Sequence, residues 1–540
     1  KSYRKTLVIN VIVFGEGYKT IIPNGALKDS AVLDTTPSSS CYPIQSIQWQ
    51  HSTTTGKSLS QQTQITQELA FEANQYLYSQ SKGCLTREHI IALQNQLANY
   101  LVNRGYLTSR VSVPDQNLNA GILQLTWQAG LIGGVQSDQN AIGNSAMLMP
   151  LRAGHIYNQR DWDQAIENLH RLPSQSQSKL ELTPADTANT SMVVYQMAST
   201  SFKDRISGSM GVDNSGNDGS GRYQANASLS IDSPLGLYDQ LTINLGNNAN
   251  AGVKQYHNRN YGVYWDVPLG YANLQLAATQ SNYLRTIPGY HSDLAYTGKT
   301  QEYFANLNLT AYRSEQSIGS INFKLARKRN YSYVDATELD VQRKDYLYAQ
   351  LGWLHRYYYQ NQQYHIGVDY KFALPGESQS MGFIYGQPQW DGNFNVLTLN
   401  AGARIPFQWN KQIWRYATTF KIQKGSRPLP DTELFTLGSR YNVRGTDEQY
   451  GLSAENGLLW RNELNWLYKN ALQPYAGLDW GITHGASASP VGRALAGAVL
   501  GIRGQYRSIN YDLAMGYPIY KPTLFTQRGP SVTGSLNYTF

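Results

Sequence analysis

The chain has 540 residues, more than one ordinary hydrophobic core accommodates, so two or more domains are expected. Its formal net charge of +8 is modest for that length, and no compact basic stripe indicates a nucleic-acid partner. The mean hydropathy is −0.46, and no apolar run approaches the roughly 18–20 residues of a membrane helix, which excludes a helical membrane protein.

The composition instead favours a chain rich in β-strands. It contains 40 tyrosines and 47 glycines, while aromatic residues make up 12% and charged residues only 15% of the sequence. A transmembrane barrel needs only alternating strands of about ten residues with aromatic belts at the membrane interfaces. A soluble β-sandwich or propeller is the alternative with a similar composition.

The first 40 residues are the least informative part of the chain. Residues 1–14 are basic and then apolar, as in a shortened signal peptide, but the apolar run is short and no small-residue cleavage site follows. A mature segment that docks as a helix or strand is the alternative. Residues 25–40, with aspartates, a proline and three consecutive serines, are predicted to be a linker.

Cys41 and Cys84 are the two cysteines of the chain. A disulfide between them would close a loop of about 44 residues, worth up to roughly 4 kcal/mol in the chain-entropy model. Two buried free thiols are the alternative. Because the barrel pattern described below places the chain beyond the cytoplasm, the disulfide is favoured.

Residues 41–129 are predicted to form a small α/β domain. A short strand around Trp49 precedes a helical stripe at 65–77, and a second helix begins behind the N-cap Thr86. Two strands follow, so the order is strand, helix, helix, strand, strand. Residues 130–205 repeat this order more loosely and are predicted to be a second domain of the same type.

The elements of the second domain are a strand at 132–135, a helix near 159–170, and strands at 179–182 and 191–197. Sheets of this kind leave edges to which an extended segment of another protein can add as a strand. Neither domain contains a nucleophile elbow, a phosphate loop or a metal-ligand spacing. The sequence therefore predicts neither an enzyme nor a metal or other cofactor.

From residue 206 to residue 540 the polarity alternates with a period of two, as residues 397–405 show. Sixteen such runs are joined alternately by short links, such as 232–239, and long ones, such as 281–300 and 375–392. Outer-membrane barrels have this asymmetry, with tight periplasmic turns and larger external loops. A transmembrane antiparallel β-barrel of sixteen strands is therefore predicted for 206–540.

The last strand ends on Tyr538 and the terminal Phe540. This ending resembles the recognition signal of outer-membrane barrels, for which a soluble β-domain has no need. It predicts the barrel-assembly machinery as a partner during biogenesis and outer-membrane lipid as the surroundings of the folded wall.

A long external loop, 425–456, is predicted between the eleventh and twelfth barrel strands. It carries the sequence Val443-Arg444-Gly445-Thr446. Loops of this length in a strand-rich domain are usually functional or disordered. Glycine allows a tight tip and arginine presents a charge, so a functional loop is one interpretation and a solvated surface loop the other.

These features together resemble the TpsB transporters of two-partner secretion. The two α/β modules resemble POTRA domains, sixteen strands follow, and Val443-Arg444-Gly445 lies in the sixth external loop. The resemblance covers about residues 41–540, and the CdiB subgroup of contact-dependent growth inhibition systems is the most similar. Further matching stretches follow in the family's order at 41–44, 103–106, 169–173, 213–216, 221–223 and 233–237.

The resemblance implies a transporter in the outer membrane of a Gram-negative bacterium. Periplasmic POTRA domains would recognise a large, unfolded secreted exoprotein, and the barrel would export it without nucleotide. An insertase or assembly factor for other barrels, from the same superfamily, is the alternative, although such factors commonly carry more POTRA modules. A plain porin would not need the N-terminal 200 residues.

The family's loop folds into the barrel, where its arginine pairs with an aspartate of a second motif, here Gly477-Leu-Asp479-Trp480-Gly481. By alternation Trp480 suits lipid, so Asp479 is expected in the lumen. The resemblance thus implies that Arg444 and Asp479 form a loop–barrel lock, worth only about 1 kcal/mol in a watery lumen. The alternative is a further lumen carboxylate beside arginines that merely line the pore.

Two stretches depart from the family pattern. The family has an aromatic residue after Arg-Gly, where this chain has Thr446, so a differently held loop tip is expected. Residues 1–24 match the position of a pore-plugging helix in the family, but their valines, isoleucines and internal glycines disfavour a helix.

Overall fold

The computed structural model describes residues 41–540 with gaps at 52–58, 81–83, 151, 199, 218, 220, 251, 288–292, 375–378, 381–389, 391, 427, 447–450, 526 and 528. The predicted N-terminal segment 1–24 and linker 25–40 lie outside the described residues. The chain divides into two compact units, Lys1–Thr200 and Ser201–Phe540. No helix among the described residues is long and apolar enough to cross a bilayer.

The first module of the N-terminal unit is built around a three-stranded sheet. Its elements are β1 (Tyr42–Pro43), β2 (Ser46–His51), α1 (Leu59–Gln80), β3 (Cys84–Leu85), α2 (Arg87–Asn103), β4 (Arg110–Ser112) and β5 (Ile122–Gln128). Strand β5 lies between β2, which is parallel to it, and β4, which is antiparallel. The predicted order of strand, helix, helix, strand and strand is confirmed.

Helix α2 begins where the sequence predicts. The Thr86 hydroxyl accepts from the His89 backbone N–H at 3.3 Å, and the Thr86 N–H donates to His89 Nδ1 at 3.4 Å. This capping box satisfies two groups that a helix start leaves unpaired. One stripe of the helix, including Leu93 and Leu97, is fully buried against the sheet and α1.

Cys41 and Cys84 form a disulfide, with their Cα atoms 5.6 Å apart. We expect the Cys41→Ser/Cys84→Ser variant to lower the unfolding free energy of this module by about 2–4 kcal/mol, because the open chain regains loop entropy. Amide hydrogen exchange of α2 in the full-length protein measures the change. Reduced wild type should match the variant, whereas equal protection of the variant and the oxidised protein would contradict the expectation.

The second module has the same sheet order but fewer helices. Its elements are β6 (Leu131–Ser137), α3 (Gln159–His170), β7 (Lys179–Pro184) and β8 (Thr190–Gln196). Strand β8 lies between β6, parallel, and β7, antiparallel. Among the described residues a 3-10 turn at Ser145–Met147 stands in place of the first helix. Gly143 and Pro150 flank this turn, and both residue types disfavour a longer helix.

The second unit is a closed antiparallel barrel. Its strands are β9 (Ile206–Asp213), β10 (Gln224–Asp232), β11 (Gln240–Asn248), β12 (His257–Leu269), β13 (Ala272–Ile287), β14 (Leu294–Arg313), β15 (Ser317–Val334), β16 (Thr337–Glu338), β17 (Lys344–Tyr359), β18 (Gln362–Ala373), β19 (Gln379–Ser380), β20 (Asn395–Trp409), β21 (Gln412–Gly425), β22 (Phe435–Leu437), β23 (Leu452–Ala454), β24 (Asn456–Trp466), β25 (Gln473–His484), β26 (Ala494–Tyr506), β27 (Ile509–Tyr520) and β28 (Ser531–Thr539). Sixteen of them, all except the short strands β16, β19, β22 and β23, form the wall. Strand β28 closes the wall by pairing with β9. The predicted fold, two POTRA-like domains before a sixteen-stranded barrel, is confirmed.

The side chains of the wall alternate between lipid and lumen. On β25, Leu478 is 60% and Trp480 40% exposed on the outer face, whereas Asp479 between them is buried. The strand registers carry this parity from one strand to the next, so the inward face of every barrel strand is defined.

One predicted link is wrong. The segment 281–300 was expected to be a long external loop, but β13 runs to Ile287 and β14 begins at Leu294. The strands continue beyond the stretch of clean alternation, because a strand that rises above the bilayer no longer needs apolar residues on its outer face.

Candidate functional site

The loop between β21 and β24 folds into the barrel. Its hairpin, β22 with β23, packs on the inner face of β24 and β25. A Cβ on Gly457 would overlap the Phe435 ring, and a Cβ on Gly481 would lie 2.7 Å from a Leu437 methyl carbon. Two wall glycines, one of them in the predicted barrel-wall motif, therefore make room for the hairpin.

Val443 anchors the loop tip in an apolar cluster. Its side chain is fully buried. The cluster around it comprises Phe435, Leu437, Leu452, Leu459, Leu495 and Phe525. Burying a valine side chain is worth about 1.5–3 kcal/mol, so the tip is held by apolar contacts as well as by charge.

The next residue, Arg444, makes a bidentate ion pair with Asp479. Its Nε donates to Asp479 Oδ2 at 2.7 Å and its Nη2 to Oδ1 at 2.8 Å. The Arg444 backbone N–H donates to the same Oδ2 at 2.9 Å. Nη1 donates to Glu463 Oε2 at 2.5 Å, and Nη2 donates to the Asn462 carbonyl at 3.0 Å. The structure thus brings together the two side chains that the sequence singled out.

The surroundings of the pair differ from the sequence expectation. A watery lumen was assumed, but Arg444 is 8% and Asp479 3% exposed. In a buried pair the loss of one partner leaves the other charge unpaired, which typically costs about 3–5 kcal/mol. The estimate of about 1 kcal/mol for a solvated pair therefore does not apply to this geometry.

Glu463 is a second carboxylate of this site that sequence reasoning missed. It accepts from Arg444 and also from Arg503 Nη2 at 3.0 Å, and Arg503 Nε lies 3.5 Å from Asp512 Oδ2. These side chains form a chain of alternating charges across β24 to β27. Alternation along β24 also places Glu463 on the inward face, where it lies opposite Gly477, so the pattern that predicts an inward Asp479 predicts an inward Glu463 as well.

Four glycines, one in the loop tip and three in the wall, allow the tip to approach the wall closely. Gly445 has φ +92°, a conformation that glycine tolerates, and a Cβ there would lie 2.7 Å from the Tyr517 backbone. A Cβ on Gly477 would overlap the Arg444 guanidinium, and one on Gly497 would overlap the Arg444 carbonyl oxygen. Gly516 contacts Gly445 backbone to backbone. Gly497 and Gly516 carry no sequence signal that distinguishes them from other strand glycines.

Thr446, whose departure from the family pattern led us to expect a differently held loop tip, contacts the tip through a hydrogen bond. Its hydroxyl donates to the Val443 carbonyl at 2.6 Å, and the residue is 3% exposed. The hydrogen bond closes the tip as a tight turn, so the tip is held by its own backbone rather than by a ring.

A second anchor holds the stem of the loop, the segment around Asp431–Glu433 that precedes β22, on another part of the wall. Glu433 ends a 3-10 turn, Asp431–Glu433, and is 9% exposed. Its Oε1 accepts from Lys328 Nζ at 3.0 Å and from the Tyr346 hydroxyl at 2.9 Å. Its Oε2 accepts from Lys371 Nζ at 2.7 Å. The stem is thereby fixed to β15, β17 and β18.

The C-terminal residues lie at the seam between the last and first strands. Phe540 and Gly208 exchange backbone hydrogen bonds of 3.0 Å. The rings of Tyr538 and Phe540 stack with centroids 6.2 Å apart and are 48% and 54% exposed on the outer face. On the inner side, Arg440 Nη1 donates to the Gly534 carbonyl at 3.5 Å.

The described part of the chain holds no group of three or more His, Cys, Asp or Glu side chains suited to a metal ion. The charged residues of the site are paired with one another, which suits a structural fastening. The arrangement contains no activated nucleophile of the kind formed by a hydroxyl or thiol beside a base.

Comparison with known proteins identifies the family. A family model described as haemolysin secretion/activation protein ShlB/FhaC/HecB matches residues 194–504. A model of the ShlB-type POTRA domain matches residues 59–130, and a further POTRA model matches residues 131–184.

Whole relatives match over most of the chain. The outer membrane transporter CdiB-2 of Burkholderia pseudomallei (strain 1026b) is 30% identical over 462 residues, which cover 84% of this chain and 78% of the relative. The hemolysin transporter protein ShlB of Serratia marcescens is 25% identical over 463 residues, which cover 85% of this chain and 81% of the relative.

Solved structures share the fold. The structure of CdiB from Escherichia coli superposes with a TM-score of 0.82 at 22% identity, covering 95% of this chain and 93% of the other. CdiB from Acinetobacter baumannii gives a TM-score of 0.80 at 24% identity, covering 97% and 94%. The chain therefore belongs to the ShlB/FhaC/HecB family of haemolysin secretion/activation proteins, the outer-membrane transporters of two-partner secretion.

Proposed function

We propose that this chain captures a large partner exoprotein in the periplasm, while it is unfolded, and exports it through the barrel without nucleotide. The observation that carries the proposal is the loop inside the lumen. Arg444 and Asp479 fasten its tip to the wall by side-chain pairing rather than by continuous strand pairing. A plug of this kind can leave the lumen without breaking the barrel.

The Arg444–Asp479 pair is assigned as the loop–barrel lock on the same grounds. Val443, Gly445 and Thr446 shape the tip that the pair holds, while Gly477 and Gly481 clear the wall beneath it. We also assign Tyr538 and Phe540 as the ending read by the barrel-assembly machinery, since both rings are exposed at the seam.

Strand edges in the periplasmic modules suit the capture step. Among the described residues, the outer edge of β6 is partly occupied, because the Ile132 N–H donates to the His155 carbonyl and the Ile132 carbonyl accepts from the Gly154 N–H, both at 2.8 Å. Strand β7 forms the opposite edge of that sheet, and β2 forms an edge of the first module. An unfolded client can add a strand at such an edge through backbone hydrogen bonds that do not depend on its sequence.

Reconstitution tests the proposal. The purified protein in liposomes should move a large exoprotein of a two-partner secretion system, added in denatured form, into a protease-protected state. We expect equal protection with and without apyrase, because export needs no nucleotide. Empty liposomes are the control.

The alternative function has its own readout in the same vesicles. Folding of an added, unrelated outer-membrane barrel reports insertase activity. Faster barrel insertion without any protection of the exoprotein would overturn the export proposal in favour of an assembly factor. Protection that disappears with apyrase would contradict its nucleotide-free step.

A further inference from the structure

The charges of the barrel lumen are segregated onto one part of the wall. The strand registers define six neighbouring strands, β28 and β9 to β13, whose inward positions are mostly Asn, Ser, Thr, Gln and Gly. Charged inward residues on these strands lie near strand ends, at Asp213, Asp232, Asp266 and Arg285. We call the inner face of these six strands the uncharged wall.

The outer face of the same strands confirms the parity. Leu229 is 39%, Leu245 51% and Val263 46% exposed, as expected for side chains that face lipid. Asn226, Asn244 and Asn260 belong to the opposite set and are exposed toward the lumen. The uncharged wall is therefore a surface that consists mostly of amides and hydroxyls.

The remaining strands carry the charges. Inward positions of β14 to β27 include Lys324, Lys371, Arg404, Lys421, Arg461 and Arg503. The loop is seated on this side, through Glu433 on Lys371 and Arg444 on Asp479. The loop thus lies mainly on the charged wall, and it meets the uncharged wall where Arg440 Nη1 donates to the Gly534 carbonyl of β28 and lies 4.0 Å from Asp213 Oδ1.

The chemistry of the uncharged wall suits a moving polypeptide. Its side chains both donate and accept, as in the Ser228 Oγ to Asn244 Oδ1 bond of 2.7 Å and the Ser230–Thr242 hydroxyl pair at 2.9 Å. A passing backbone can exchange such bonds one by one, since each has a small net value. Conduction requires binding that is weak and repeated along the path. A fixed charge would instead hold client segments of opposite sign.

We propose that the uncharged wall is the track along which the extended client moves, in contact with its backbone and not with its charges. This inference rests on the proposed export function and deepens it, because it names the surface and the recognised chemistry. The occupant is an unfolded polypeptide with any sequence of side chains.

Site-specific photocrosslinking tests the track. A benzophenone amino acid replaces Asn244 or Asn260 on the uncharged wall, or Asn400 on the inward face of β20 as a matched control. The exoprotein is stalled during export in cells by a folded domain fused to its trailing end. We expect several-fold more client crosslinking at Asn244 and Asn260 than at Asn400.

The outcomes separate the two proposals. Equal crosslinking at the three positions, or an excess at Asn400, would overturn the track while leaving export intact. No client outside the cell and no crosslink at any lumen position would overturn the export function itself.

Charge substitution gives a second, independent readout. Asn244→Lys should slow export of an exoprotein carrying an acidic run at least tenfold relative to one carrying a basic run, and Asn244→Glu should reverse that order. Asn400→Lys is the matched control and should not discriminate between the two clients. A purely structural role of Asn244 would slow both clients alike, and that result would overturn the track.

Discussion

Replacing Arg444 by alanine is expected to release the loop tip. The change leaves Asp479 buried without its bidentate partner, which costs about 3–5 kcal/mol and corresponds to roughly a hundredfold to several-thousandfold shift in the seating equilibrium. A cysteine at Thr446, which is 3% exposed, reports the release. Cys41 and Cys84 are joined in a disulfide, so Thr446→Cys supplies the free thiol for an impermeant maleimide.

We expect the maleimide to label Thr446→Cys rapidly when Arg444→Ala is also present, and slowly when Arg444 is retained. The double variant Arg444→Ala/Asp479→Ala should label more slowly than Arg444→Ala alone, because it leaves no charge unpaired at Asp479. Arg404→Ala removes an exposed lumen arginine and is the matched control. Unchanged labelling after Arg444→Ala, at matched barrel levels, would refute the loop–barrel lock.

Gly497→Ala should release the tip without altering any charge. The added Cβ would overlap the Arg444 carbonyl oxygen, and neither backbone can yield by a side-chain rotation. Overpacking of this kind costs about 1–3 kcal/mol, so maleimide labelling at Thr446→Cys should rise about fivefold to a hundredfold.

Gly367→Ala provides the comparison for that experiment. Gly367 also lies on the inward face of a barrel strand, but its added Cβ would meet its nearest neighbours at 3.4 Å, an ordinary contact. Labelling should therefore stay at the parental rate. If Gly497→Ala labels no faster than Gly367→Ala, the tip does not sit where the wall glycines indicate.

Local patterns were sufficient to predict the architecture. Alternation with a period of two defined the barrel because each strand must satisfy lipid on one face, and the Thr86 cap located the start of α2. The link at 281–300 was misjudged for the same reason, since the constraint ends where the strand leaves the bilayer. An alternating pattern reports which solvent each face of a strand contacts. It therefore does not show where a strand ends once that strand has passed from lipid into water.

The site was predictable only in part. Arg444 and Asp479 came from motifs, but Glu433 pairs with lysines 62 and 105 residues away, so no spacing in the sequence announces it. Gly497 looks like any strand glycine until the position of the Arg444 carbonyl is known. Contacts that depend on where a folded loop comes to rest need the three-dimensional structure.

The double fastening of the loop has a consequence for how the proposed export pore closes after use. On the proposed export function, Glu433 and the β22–β23 hairpin can stay attached while the described tip residues 438–446 leave their seat. A segment that short returns to its seat at an effective concentration on the order of millimolar. Resealing is then a unimolecular step whose rate is independent of the client and of the number of transporters. For the proposed transporter, the permeability barrier of the outer membrane is then restored once the last residue of the exoprotein has left the pore.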